Sequence, residues 1–182
     1  MSIYRRALLA LPILAIASSA VPGTPATEIS AAQAWTPHGS LCAVGEEVIF
    51  SCGIGRKMVA VCGGRRPAPH AQYRFGAPGD IELAFPGPGQ SGLTYAREMY
   101  SGGGALQIRF SSGGYDYAVY SRTVRTGFGR DGRHFPRFSD GIMVRRNGRL
   151  VSNRSCTTAA GGAAEPGDFM PEGTMMRWFD ER

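Results

Sequence analysis

Short stretches of alternating apolar and polar residues recur along this chain. In GDIELAF, Ile81, Leu83 and Phe85 alternate with Asp80, Glu82 and Ala84. Successive side chains of a β-strand point to opposite faces of its sheet, so this pattern predicts a strand with one buried face.

Other such stretches flank turn residues and are predicted to form β-hairpins. In ALQIRF-SSGG-YDYAVY, a fold about the SSGG segment sets Arg109 opposite Asp116 on one face and aligns apolar residues on the other. In GIMVRR-NG-RLVSN, the Asn-Gly pair is the strongest short turn signal. It places Arg146 directly opposite Arg149.

The number of these segments predicts the fold class. QYRF at 72–75 and TYAREMY at 94–100 add further strands, and no long helical pattern is present. Hydrophobic residues at 43% and charged residues at 19% are typical of a folded chain. We therefore expect an all-β protein, an antiparallel sandwich or barrel of about eight strands.

The chain begins with a segment typical of a secretory signal peptide. It contains two arginines, an apolar run and small residues that end at Ala20. The run is shorter than the ~20 residues that span a bilayer, so we predict no transmembrane segment. The chain divides into a signal peptide (1–20), a flexible leader (21–40), a β domain (41–157) and a linker with a docking tail (158–182). The mature protein is expected to be periplasmic or secreted.

The apolar end of the chain, TMMRWFDER, is expected to dock on another surface. The protein's own body is the favoured surface, because apolar termini usually close a fold, and a partner protein is the alternative.

The four cysteines are predicted to form disulfides. An even number of cysteines in an exported chain is typical of disulfides, because the compartment is oxidising. The sequence has no C-x-x-C motif and its three histidines are isolated from one another, which argues against zinc. We predict neither a metal site nor a cofactor.

A third predicted hairpin, EEVIFSC-GIGR-KMVAVC, restricts how the cysteines pair. With Gly53 opposite Arg56, Cys62 faces Glu47. Cys52 and Cys62 are then roughly 17 Å apart, against a limit of ~7 Å between bridged Cα atoms. A turn that differs by one residue changes every pair, so the register is the step on which the pairing depends.

The preferred pairing is Cys42–Cys62 and Cys52–Cys156. Gly45 allows the leading segment to fold back and bring Cys42 toward Cys62, which leaves Cys52 for Cys156.

Charge is distributed unevenly along the chain. Residues 122–154 hold nine arginines and two aspartates, a net +7, whereas residues 163–182 hold five acids and two arginines. A basic surface favours anionic partners. A second interpretation stays open, in which the arginines keep one face soluble and attract the acidic tail.

The candidate ligand-binding residues in this region are Arg145, Arg146 and Arg149. Two like charges directly opposite each other cost stability unless something screens or binds them, which applies to Arg146 and Arg149. Arg145 is expected on the other face of the hairpin. No aromatic ladder accompanies the arginines in the sequence, so we expect no nucleic-acid binding.

No group of residues converges on a reaction. GQSG lacks the strand–turn–helix context of a nucleophilic serine. Asp80 and Glu82 lie on one face of a strand and are better explained as its solvated side than as a glycosidase pair. A disulfide-bonded cysteine is no nucleophile for His70 or His134. We therefore predict no catalytic residue and favour a non-catalytic protein, with a hydrolase of envelope polymers as the alternative.

Several motifs together resemble an uncharacterised family of small exported bacterial proteins. They are C-x3-EEVIFSC-x2-G-x-K-x-V-x-VC, YRFG with IELAFP, IRFSSGGYDYAVYS and GIMVRRNGRLVSNRSC, within about residues 41–157. This resemblance implies export and a β-rich fold.

A more distant resemblance links F-x-C-x2-G, SGGY and N-x-x-C to the bacterial inhibitors of C-type lysozyme, which carry an S-G-x-x-Y motif. Ser112 matches that motif, and Tyr115 arrives one residue early. Both are candidate ligand-binding residues on this ground. The expected function is an exported non-catalytic binding or inhibitor module of the bacterial envelope. Its partner is expected to be an anionic envelope polymer or a protein such as a lysozyme.

Overall fold

The computed structural model describes residues 39–87 and 92–179, apart from the side chain of His134. The predicted signal peptide and residues 21–38 of the predicted leader lie outside the described residues. No helix in the described part is long and apolar enough to cross a membrane. The strands of this part are β1 (Glu47–Ile54), β2 (Lys57–Gly64), β3 (His70–Ala77), β4 (Asp80–Phe85), β5 (Thr94–Tyr100), β6 (Gly103–Ser112), β7 (Tyr115–Phe128), β8 (His134–Arg146) and β9 (Arg149–Ser155).

These strands form two antiparallel sheets that enclose the main core. The sheet orders are β1-β2-β3-β4 and β5-β6-β7-β8-β9, so within each sheet every strand pairs with its neighbour in sequence. The ring centroid of Phe110 on β6 lies 4.8 Å from Tyr73 on β3 and 4.5 Å from Phe85 on β4. This aromatic group joins the two sheets, and the predicted all-β fold is confirmed as a two-sheet sandwich.

Two disulfides connect the ends of the domain to the four-stranded sheet. Cys42 is bonded to Cys62 on β2, and Cys52 on β1 is bonded to Cys156 just after β9. These are the same two pairs that the hairpin argument favours. The second bond closes a loop of 104 residues and therefore ties β1 to the end of the five-stranded sheet.

The β1–β2 hairpin has a different register from the one expected. Its turn residues are Gly55 and Arg56, so Gly53 pairs with Met58 rather than with Arg56. The expected register would place Ile54 in the turn, whereas Ile54 is buried in the core. Gly55 adopts φ +65° at no steric cost, which a β-branched residue would not. A bulge further along β1 then sets Cys62 opposite Val48, not Glu47.

The β6–β7 hairpin also differs from expectation. Its turn contains only Gly113 and Gly114, both with positive φ, and Ser111 therefore belongs to the strand. Asp116 pairs with Ser111, whose hydroxyl donates a 2.6 Å hydrogen bond to its carboxylate. The expected Arg109–Asp116 pair is wrong, because the two-residue glycine turn shifts the register.

The β8–β9 hairpin has the expected register. Arg146 pairs with Arg149 across a turn of Asn147 (φ 51°) and Gly148 (φ 75°). Positive φ at both turn residues matches the twist of the flanking strands.

The segment after β9 is not the linker that its glycine and alanine content predicts. Gly161 exchanges two backbone hydrogen bonds with Ser51 on β1, at 2.7 and 2.8 Å. Further on, the N–H of Tyr95 on β5 donates to the carbonyl of Pro171 at 3.1 Å. The segment thus covers the outer edges of β1 and β5 and satisfies backbone groups that would otherwise be exposed.

Residues 174–179, here called the tail, cover the outer face of the five-stranded sheet. The fully buried Gln107 accepts a 2.7 Å hydrogen bond from the N–H of Met176 and donates one of 2.9 Å to its carbonyl. Trp178 is 4% exposed and packs edge-on against Tyr120 at 5.8 Å between centroids. The apolar end of the chain therefore docks on the protein's own body.

Candidate functional site

Four of the five predicted ligand-binding residues meet at one end of the five-stranded sheet. Because β7 pairs with β8, the β6–β7 turn and the β8–β9 turn lie side by side. We call Ser112, Tyr115, Arg146 and Arg149 the turn cluster. Ser112 pairs with Tyr115 across the glycine turn, and Arg146 pairs with Arg149 across the neighbouring one.

The turn cluster is positively charged and open to solvent. The Arg146 guanidinium lies over the Tyr115 ring, 5.1 Å from its centroid. Arg146 and Arg149 are both exposed, and neither forms an ion pair with a carboxylate of the described residues. Two guanidinium groups that face each other across one tight turn can hold an anion between them.

The fifth predicted residue, Arg145, has a structural role instead. It is 8% exposed and lies on the opposite face of β8. Its guanidinium donates to the carbonyl of Gly148 (2.8 Å) and, in the tail, to those of Arg177 (3.0 Å) and Trp178 (2.7 Å). Arg145 is therefore occupied by the protein's own backbone and is removed from the set of ligand-binding candidates.

A second basic surface lies at the opposite end of β7 and β8. The pairing of β6 with β7 ends at Gly104 and Thr123, and the two long strands continue beyond it as a two-stranded ribbon. We call residues 124–138 the arm. Its four arginines and one aspartate are exposed, and Phe128, Phe135 and Phe138 are 67%, 62% and 70% exposed.

The sequence reasoning missed the arm's aromatic residues. It found no aromatic ladder beside the arginines, whereas the ribbon sets phenylalanines beside them. The signal was RHFPRF, in which basic and apolar residues recur at short intervals. Its apolar residues do not alternate strictly, so the segment carries no clear strand pattern.

The candidate catalytic carboxylates do not form a reactive pair. Asp80 and Glu82 are exposed on β4, and Glu82 accepts a 2.6 Å ion pair from Lys57. A shallow pocket of about 320 Å³ does bring Glu47 and His70 together. There the Glu47 carboxylate forms an ion pair with Arg65 at 2.5 Å, so this arginine already occupies it.

A larger cleft of about 570 Å³ lies over β1, between residues 39–40 and 158–164. Its lining includes Val48, Met58 and Ser51. The Ser51 hydroxyl is buried and has no hydrogen-bond partner in the described part of the chain. No base lies within hydrogen-bond distance of it there, so this serine lacks the activation that a nucleophile requires.

The sulfurs of Cys42 and Cys62 lie close to the carboxylate of Glu46, a grouping that resembles a metal site in composition. The sulfurs are bonded to each other and are not thiolates. Glu46 accepts two hydrogen bonds from Arg74, at 2.6 and 2.7 Å. The grouping therefore has the chemistry of a disulfide beside an ion pair.

The fold and these surfaces define the class of protein as a disulfide-bonded β-sandwich with two exposed basic surfaces. No family model matches the chain, and no curated protein or solved structure shows significant similarity to it. The family resemblances inferred from its motifs stay expectations.

Proposed function

We propose that this protein is an exported, non-catalytic binding module of the bacterial envelope whose partner is anionic. The observation that carries the proposal is the turn cluster, where Arg146 and Arg149 lie side by side without a carboxylate partner in the described residues. Like charges in this position cost stability, and an anionic partner would offset that cost.

The position of the cluster suits binding. The two turns project from the end of a five-stranded sheet, where contacts can be made without disturbing the core. The Tyr115 ring beneath Arg146 holds the guanidinium by a cation–π contact and reduces the freedom that it loses on binding.

Two observations support export. Residues 1–20 have the three parts of a secretory signal, and all four cysteines are oxidised in disulfides. Disulfides persist in oxidising compartments such as the periplasm and the extracellular medium. We accordingly place the mature protein in one of these two compartments.

The test replaces both arginines of the cluster, Arg146→Ser with Arg149→Ser, and measures binding to immobilised dextran sulfate at low salt. Affinity should fall about fivefold or more, and the difference from the unmodified protein should shrink as salt rises. The matched control is Arg56→Ser with Arg66→Ser, which removes the same charge from exposed positions elsewhere.

An equal loss in both double variants would show a general charge effect and reject the site. Hydrolysis of peptidoglycan by the purified protein would reject the whole class and favour the alternative, an envelope polymer hydrolase. Neither the unmodified protein nor either double variant should bind uncharged dextran.

A further inference from the structure

The arm presents two phenylalanines and an arginine on a single face. Pairing sets Thr123 opposite Phe138, Arg125 opposite Pro136 and Phe128 opposite His134. Alternate residues of a strand share a face, and residues paired across two strands also share one. Phe138 and Pro136 therefore lie on the same side of the ribbon as their partners, Thr123 and Arg125. We call Phe128, Arg125 and Phe138 the arm face.

A β-bulge creates this arrangement. Phe128 follows Arg125 by three residues, and in a regular strand the two side chains would point to opposite faces. The register shifts between them, which adds one residue and turns Phe128 toward Arg125. The Arg125 guanidinium accordingly lies 5.4 Å from the centroid of the Phe128 ring. Bulges of this kind commonly re-aim a side chain at a functional surface.

The chemistry of the arm restricts its partner. Residues 124–138 contain four arginines, one aspartate and no glutamate, asparagine or glutamine. The aspartate, Asp131, is paired with Arg133 at 3.7 Å, and the Thr126 hydroxyl donates to the carbonyl of Phe135. The arm therefore offers a partner guanidinium groups and flat phenyl rings.

We infer that the arm face binds an acidic polysaccharide. This inference rests on the proposed function, since it names the class of anionic partner. The rings of Phe128 and Phe138 stack on the C–H faces of sugar rings, and Arg125 between them pairs with a sugar carboxylate. The five residues of β8 from His134 to Phe138 span roughly 14 Å, the length of a few sugar rings.

Other occupants fit less well. A second copy of the chain would bring two arms together, each with four arginines and one aspartate, and these would repel each other. A lipid bilayer would meet the charged end of the ribbon first, at Arg130, Asp131 and Arg133. It would also contact Phe135, which lies on the opposite face from the arm face, so a bilayer would not select the arm face.

The test measures binding to immobilised polygalacturonate, a polymer with one carboxylate on each sugar ring. Phe128→Ser with Phe138→Ser should weaken binding about tenfold or more, a loss of the size that removal of stacking aromatic rings causes at single-stranded nucleic-acid sites. Phe135→Ser is the matched control, with similar exposure on the opposite face. Arg125→Ser should weaken binding more than Arg137→Ser, which also removes an exposed arginine but from the opposite face.

Circular dichroism and thermal unfolding establish first that each variant is folded. An equal loss in Phe135→Ser and in the double variant would overturn the arm face. If the protein binds dextran sulfate through the turn cluster but does not bind polygalacturonate, the inference fails and the proposed function stands. If it binds neither polymer, both fail. Tighter binding to oligo-dT or to phosphatidylglycerol vesicles than to polygalacturonate would overturn the polysaccharide class.

Discussion

Replacing Arg145 with serine is expected to release the tail from the five-stranded sheet. The guanidinium donates three hydrogen bonds, to the carbonyls of Gly148, Arg177 and Trp178. Hydrogen bonds to a charged group contribute ~1.5–3 kcal/mol each to stability. The carbonyls regain water when the tail detaches, so we expect the free energy of unfolding to fall by about 2–4 kcal/mol rather than by the full sum.

The assay uses Trp178 as its reporter. The chain has two tryptophans, so Trp35→Phe leaves Trp178 as the single source of tryptophan fluorescence. In that background Trp178 is 4% exposed, and its emission should be blue-shifted and shielded from iodide. Adding Arg145→Ser should shift the emission to the red, increase quenching and lower the urea midpoint.

The neighbouring residue provides the control. Arg146 is exposed, and its guanidinium contacts Tyr115 rather than the tail, so Arg146→Ser should leave the emission unchanged and should not lower the midpoint. Identical spectra and midpoints for the two variants would refute the structural role of Arg145 and return it to the ligand-binding candidates.

Two further outcomes are expected. Burial raises the pKa of Tyr73 and of Tyr120, so the folded protein holds these phenolic protons more tightly than the unfolded chain does. Their contribution to stability is complete below about pH 10 and is lost as pH rises through the folded-state pKa. Urea midpoints measured from neutral to alkaline pH should therefore fall only above about pH 10. A fall that begins near neutral pH would contradict this. Removing the disulfide between cysteines 104 positions apart should cost about 1.5 kcal/mol more stability than removing the one between cysteines 20 positions apart, because cross-linking a longer loop restricts the unfolded chain more. Paired cysteine-to-serine variants compared by urea unfolding test this, and the reverse order would refute it.

Strands with clear punctuation were predictable from the sequence. GDIELAF and TYAREMY correspond to β4 (Asp80–Phe85) and β5 (Thr94–Tyr100). The register of β8 and β9 was predictable from the Asn-Gly pair. Both residues adopt positive φ, as the central positions of a two-residue hairpin turn require.

Registers at glycine-rich turns were not predictable in the same way. The segments GIGR and SSGG are each compatible with several hairpin turns. These turns differ from one another by one residue in position or by two residues in length. In both hairpins the observed pairing beside the turn differs from the expected one by two residues along the partner strand, and the β1 bulge reduces this difference to one residue at Cys62. Cys52 pairs with Val59, three positions or roughly 10 Å from Cys62, which still exceeds the ~7 Å limit between bridged Cα atoms. A Cys52–Cys62 bond therefore stays excluded, whereas the expected Arg109–Asp116 pair is lost.

The candidate site was only partly predictable. Alternation along β8 correctly separated Arg145 from Arg146, but the sequence does not show that the tail covers the face on which Arg145 lies. That contact joins residues 32 and 33 positions apart, and it depends on long-range packing of the tail. The bulge that aims Phe128 escaped detection because one extra residue breaks the period of two on which strand prediction depends.

Two acids near the end of the described chain pair with arginines outside both basic surfaces. Glu165 pairs with Arg97 at 2.6 Å, and this hydrogen bond lowers the pKa of its carboxyl group. Asp168 pairs with Arg65 at 3.5 Å, so both acids reach arginines outside residues 122–154. The tail reaches Arg145 only through backbone carbonyls. The interpretation that these arginines serve to attract the acidic tail therefore fails for the two acids just traced.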